Sequence, residues 1–127
     1  MDQQSSNNNL TVKENIFFWC KLFYSKIRPQ EIESILEILQ LSDYKNNYVN
    51  NLSYGEIKKL ELSRLIIEQK KLWILDEPYI GLDDKSADLI NETIKNHAEL
   101  GGMIIFTSHL NPEIENIEKL NLNSDAY

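Results

Sequence analysis

Glycine, proline and cysteine are scarce: 4, 3 and 1 in 127 residues. With so little punctuation between elements, the chain reads as helix-rich. The lone Cys20 excludes an internal disulfide, and it has no second cysteine to share a metal site. A reducing, cytosolic compartment fits that usage. Long hydrophobic runs are lacking too. The longest, Ile16 to Cys20, meets Lys21 at once, far short of the ~20 apolar residues that a membrane helix needs. The opening MDQQSSNNN has no basic start and no apolar stretch, so it does not read as a signal peptide. Positive charge is also in short supply, with 13 Lys and Arg against 20 Asp and Glu, a net −7. A nucleic-acid binder needs a basic face to meet phosphates, so no nucleic-acid partner is expected.

What is present is 42% hydrophobic and 26% charged, the balance of a soluble globular domain with its own core. Residues 1–9 form a polar tail, expected to be disordered. Residues 10–51 read as a helical subdomain. Thr11 and Glu14 have capping-box spacing, which predicts a helix running to about Tyr24. Pro29 suits the first turn of a second helix, whose apolar stripe is Ile32, Ile35, Leu36 and Leu39. Residues 43–51 are polar and turn-like.

Residues 52–127 read as an α/β portion. A helix is predicted from Ser53 to about Glu68, with Ile57, Leu60, Leu65, Ile66 and Ile67 inward and Lys58, Lys59 and Arg64 outward. Leu72 to Leu75 is an unbroken apolar run, as expected of a strand buried on both faces of a parallel sheet. Pro78 cannot extend it. A helix over 84–97 carries Leu89, Ile90 and Ile94 on one face and breaks at Gly101-Gly102. A second buried strand is expected from Met103 to Phe106, then a short helix at Asn111-Pro112 and a last strand within 119–123. The sum is half of an α/β layer architecture behind a helical subdomain. So small a parallel sheet would be incompletely covered.

Chemistry-bearing residues gather at element ends. Asp76 and Glu77 follow the first strand, and open α/β sheets bind ligands at strand carboxyl ends. There one carboxylate can hold Mg²⁺ and another can orient water for phosphoryl transfer. Acids facing water is the plainer alternative. Ser53 and Gly55 precede and open a helix, where outward N–H groups suit an anion, although taken alone an ordinary Ser cap is the favoured reading. His109 follows the second strand and could contact a terminal phosphate, or be a loop histidine. His97, among apolar neighbours, reads as structural, Trp73 as core, and Gly81-Leu82-Asp83-Asp84 as a turn and helix cap. The aromatic-rich stretch Phe17 to Tyr24 is part core and part candidate docking patch.

The order LSYGE, helix, LWILDEP, GLDD and a strand ending in TSH resembles the ABC ATPase family, a branch of the P-loop NTPase fold. The resemblance covers essentially everything from Leu10 onward. LSYGE is similar to the family's signature motif, LWILDEP to Walker B, GLDD to the D-loop and His109 to the switch histidine. The resemblance implies ATP and Mg²⁺ as cofactors. It implies that Asp76 binds the metal through water, Glu77 polarises the attacking water and His109 senses the γ-phosphate. Ser53, Tyr54, Gly55 and Glu56 would form the signature face that meets ATP held by another ATPase subunit, and Asp83 would cross that interface. Leu10 to Asn15 resembles the TVxEN opening of transporter ATPases. The compact GGMIIFTSHL ending is similar to ATP-binding subunits of heme exporters serving cytochrome c maturation. This implies membrane transporter subunits as partners and a cytoplasmic site at the inner face of the membrane. A chromosome-maintenance or DNA-repair ATPase head is the alternative, because LSGGE followed by lysines is usual there, but no long coiled coil accompanies it here.

The sequence departs from the family in several places. No G-x-x-x-x-G-K-S/T occurs, the loop whose N–H groups and Lys cradle phosphates. An adenine-stacking aromatic and a Q-loop glutamine are also missing. Tyr54 replaces a small signature residue and Glu56 replaces Gln. The fold is therefore expected to be a partial ABC ATPase without its Walker A half. Its function is expected to be that of a split or truncated ATP-binding subunit dependent on a Walker A-bearing partner. A non-catalytic interaction module is the second class.

Overall fold

Thr11 opens the first helix as its spacing to Glu14 requires. In the computed structural model, which describes residues 6–108, 117, 118 and 120, α1 spans Val12–Leu22. The Glu14 N–H donates to Thr11 Oγ1 at 3.1 Å, and the Thr11 N–H donates to Glu14 Oε1 at 3.0 Å. The helix stops just before Tyr24, which takes a left-handed φ of +49°. The second helix, α2, spans Pro29–Ile38, and its stripe of Ile32, Ile35, Leu36 and Leu39 is buried as expected. Residues 42–44 and 49–51 are single 3₁₀ turns, and the second contributes fully buried Val49.

The polar tail is corrected for residues 6–9. The Ser6 N–H donates to Glu61 Oε1, and Asn7 exchanges hydrogen bonds with the buried side chain of Asn15. Asn15 has almost no exposed surface, so its amide must find partners inside the protein, and the tail backbone supplies them.

The third helix, α3, spans Tyr54–Glu68 and packs against α1. It has little free face, and the expected outward lysine row is overturned. Lys59 is buried and Lys58 and Arg64 are half-buried. A long aliphatic stem can pack while its charge finds partners. Lys59 acts on the carboxylates of Glu56 and Asp83, and Arg64 pairs with Glu68 at 3.1 Å.

Strands β1 (Leu72–Asp76) and β2 (Met103–Thr107) pair in parallel, from Leu72 opposite Met103 to Asp76 opposite Thr107. Helix α4 (Asp84–Glu99) connects them, and Gly101 takes a φ of +89° just beyond it. Among the described residues the sheet has these two strands only. The expectation of strands buried on both faces fails. Trp73 is 3% exposed, whereas Ile74 is 65% and Ile105 is 62% exposed. Leu72 and Met103 share their side of the pleat and are also exposed. Among the described residues one face meets the core and the other stays open, which is the incomplete cover expected of so small a sheet.

A single core runs from Val12 to Ile94, across residue 51. His97 stacks on buried Trp73 with centroids 3.7 Å apart and planes within 5°. Its Nε2 lies 2.8 Å from the Lys71 carbonyl oxygen, the structural role expected. The Asn111-Pro112 helix and the 119–123 strand lie outside the described residues. Among the described residues, no helix is long and apolar enough to cross a membrane.

Candidate functional site

The carboxyl end of β1 carries the acids because the ladder stops there. Thr107, opposite Asp76 on β2, donates its hydroxyl to Asp76 Oδ1 at 2.6 Å. The Glu77 N–H donates to Thr107 Oγ1 at 3.1 Å and also lies 3.2 Å from the Thr107 carbonyl. Glu77 then turns left-handed, with φ +47°. This conformation is uncommon outside glycine, and it swings the chain out of the strand. Its carbonyl accepts from Lys58 Nζ of α3 at 3.1 Å.

At the start of α3, Ser53 and Glu56 close a capping box. Ser53 Oγ accepts from the Glu56 N–H at 3.2 Å, and Glu56 Oε2 accepts from the Ser53 N–H at 2.6 Å. The cap uses Ser53 as an acceptor and leaves the Tyr54 and Gly55 N–H groups uncommitted among the described residues. The plain cap and an anion-facing helix start are thus the same structure. Tyr54 does not project over that start. Its ring lies on Gly81, where an added Cβ would sit 2.9 Å from ring carbons, and Gly81 itself takes a φ of +74°. A Cβ on Gly55 would meet Leu82 at 3.5 Å. Asp83 caps α4, its Oδ1 accepting from the Ser86 N–H at 2.7 Å.

The fold therefore joins Tyr54, Gly55 and Lys58 to the Glu77–Leu82 segment, and Asp76 to Thr107. A cleft of about 420 Å³ lies between α3 and the end of β1, lined by Lys58, Arg64, Ile74, Asp76 and Glu77 among others. His109 lies outside the described residues. Sequence reasoning passed over Thr107 and Lys58 as site residues. The equal length of LWILD and MIIFT offered a register that would have placed Thr107 beside Asp76. No comparable signal marked Lys58.

The caps also set the charges. Partial burial pushes the Glu56 carboxyl up, but Ser53, the Tyr44 hydroxyl and Lys59 outweigh it and leave the carboxyl below its usual range. The N–H and hydroxyl of Ser86, with Lys59 and Lys85, hold Asp83 below it too. A depressed carboxyl contributes stability above its unfolded pKa and loses it as pH falls through its folded one. Acid unfolding curves are therefore expected to flatten in Glu56→Gln at and below the ordinary carboxylate range. Ser53→Ala is expected to cost about 1 kcal/mol in urea unfolding at neutral pH.

Hard oxygen donors at a strand end suit Mg²⁺. The described residues hold no group of three or more acidic, His or Cys ligands. Asp76 supplies one such donor at the end of β1, where a metal shared with phosphate oxygens would need it.

Comparison with known proteins gives the context. Residues 1–80 match the family model described as ABC transporter. The chain is 34% identical over 112 residues to the cytochrome c biogenesis ATP-binding export protein CcmA of Paracoccus denitrificans, covering 86% of this chain and 51% of that protein. It is 38% identical over 101 residues to the protein of that name from Xanthomonas campestris, covering 80% and 47%. The chain spans about half the length of the curated relatives it matches. Among solved structures, an ATP-binding cassette of an ABC transporter in its ADP conformation superposes with a TM-score of 0.58 at 28% identity, over 82% of this chain and 47% of that one. With the family model spanning more than half of the sequence and the fold of a partial cassette, the chain belongs to the ABC transporter ATP-binding family.

Proposed function

We propose that the chain is the signature and Walker B portion of an ABC transporter ATP-binding subunit, working with membrane subunits in export for cytochrome c biogenesis. Heme is the expected cargo. Relatives named for cytochrome c biogenesis export support that branch over a chromosome-maintenance head. Asp76 would hold Mg²⁺ together with the ATP phosphates, which supplies charge neutralisation when bound. Glu77 would accept a proton from the attacking water. Ser53 and the N–H groups of Tyr54 and Gly55 would face a γ-phosphate presented by another ATPase subunit. Asp83 would lie at the border with that subunit, and His109 would contact the same phosphate. The location in this reading is cytoplasmic, against the inner face of the membrane.

One observation carries the reading. The start of α3 touches the 77–82 segment that follows the strand-end acids, through Lys58 on the Glu77 carbonyl and Tyr54 on Gly81. The phosphate-cradling loop is nowhere in these 127 residues, so turnover needs that loop from outside them. The test is to mix the chain with the front half of the Paracoccus denitrificans relative and measure magnesium-dependent ATP turnover. Turnover is expected from the mixture and not from either part, and Ser53→Arg is expected to abolish it. A stable mixture with no turnover would refute the enzymatic reading.

A further inference from the structure

We infer that Tyr54 and Lys58 form a strut that sets the pose of Glu77 and of the turn at Gly81, a positioning role that rests on the ATPase reading above. The two residues lie one helical turn apart at the start of α3, so their side chains leave the same face. The Lys58 ammonium donates to the Glu77 carbonyl oxygen at 3.1 Å. It also sits 5.4 Å from the centroid of the Tyr54 ring, within cation–π range. The ring in turn lies flush on Gly81. Ring, ammonium and carbonyl thus make one continuous stack from α3 to both ends of the Glu77–Gly81 loop.

That loop has a left-handed residue at each end, and the one at Glu77 is not a glycine. A non-glycine residue persists there only when its surroundings hold it. The main chain of Glu77 is gripped on both sides, its N–H by Thr107 and its carbonyl by Lys58. The side chain that must aim at water therefore starts from a fixed backbone. The strut also answers the departure of Tyr54 from the family's small residue. The ring is drawn sideways onto Gly81, which keeps it off the N–H groups at the helix start. Glycine at position 54 would keep those groups open but would leave Gly81 uncovered and the Lys58 ammonium without its aromatic neighbour.

Two measurements test the strut, one of them independent of activity. In the isolated chain, Lys58→Met is expected to speed amide exchange at Glu77 and Ile80 while leaving that of Trp73 and Ile105 unchanged. Lys58→Arg, which keeps a cationic donor, is expected to restore protection. In the complex with the front half of the relative, Lys58→Met is expected to lower kcat roughly 10- to 100-fold with KM for ATP little changed, the signature of a misplaced reacting group. Lys58→Arg should recover most of that loss. Unchanged exchange at Glu77, or uniformly faster exchange across the chain, would overturn the strut. So would a KM change without a kcat change. If the complex with the native chain has no turnover, the ATPase reading fails, and the exchange measurement still decides the strut.

Discussion

Glu77→Gln is expected to lower magnesium-dependent ATP turnover of the reconstituted complex by roughly 10²- to 10⁴-fold, the span of a lost general base, while ATP binding persists. The carboxylate is next to Asp76 at the end of β1, and its backbone is turned out of the strand at φ +47°. Glutamine preserves the shape and the main-chain hydrogen bonds to Thr107 and Lys58, which belong to the backbone. What it removes is the carboxylate that, in the proposed mechanism, would take a proton from water. The loss should therefore fall on kcat, with KM for ATP steady. Asp76→Asn should differ, because in the proposed site it would weaken a metal ligand. Its deficit should shrink as magnesium is raised, and that of Glu77→Gln should not. The 127-residue chain by itself should show no turnover, since positioning of the phosphates supplies most of the catalysis in phosphoryl transfer. Turnover by the chain alone, abolished by Glu77→Gln, would sink this reading.

Many of the elements that frame this site were legible in the sequence, because they rest on local grammar. Thr11 and Ser53 each precede a glutamate at the right spacing, and both capping boxes form. The apolar runs that end in Asp76 and Thr107 are short and bounded, and both become strands. What local grammar could not give was the third dimension. Lys58, Lys59 and Arg64 look like an outer face in one helix read alone. Their burial depends on how many neighbours crowd α3. Likewise, nothing in the letters of Tyr54 says that its ring will lie on Gly81, 27 positions away in sequence. The left-handed turn at Glu77 was equally hidden, since no glycine marks it. The strands misled for the opposite reason. Ile74 and Ile105 are apolar enough for full burial, which would need a layer over them. The described residues supply no such cover.

That open face yields the second large prediction. Ile74 and Ile105 stand opposite each other in the register, flanked by Leu72 and Met103 on the same side of the sheet. Full burial of one such side chain contributes about 1.5–3 kcal/mol. If this face is where the front half of a cassette docks, replacing both isoleucines forfeits about 3–6 kcal/mol, a weakening of roughly 10²- to 10⁴-fold in affinity. The chain carrying Ile74→Lys and Ile105→Lys is therefore expected to lose measurable binding to the front half of the relative by titration calorimetry. The same charges should act oppositely on the chain alone. An exposed apolar sheet face invites self-association, and lysines placed on that face oppose it. Sedimentation should then find the native chain associating as its concentration rises and the double variant monomeric, with its helical circular dichroism intact. Thr93, buried on α4 with its hydroxyl donating to the Leu89 carbonyl, provides the control. Thr93→Ser keeps its hydroxyl and should change neither measurement. A double variant that folds and still binds the front half as tightly as the native chain would place the junction elsewhere. The apolar face would then have to be covered by some other part of the assembly.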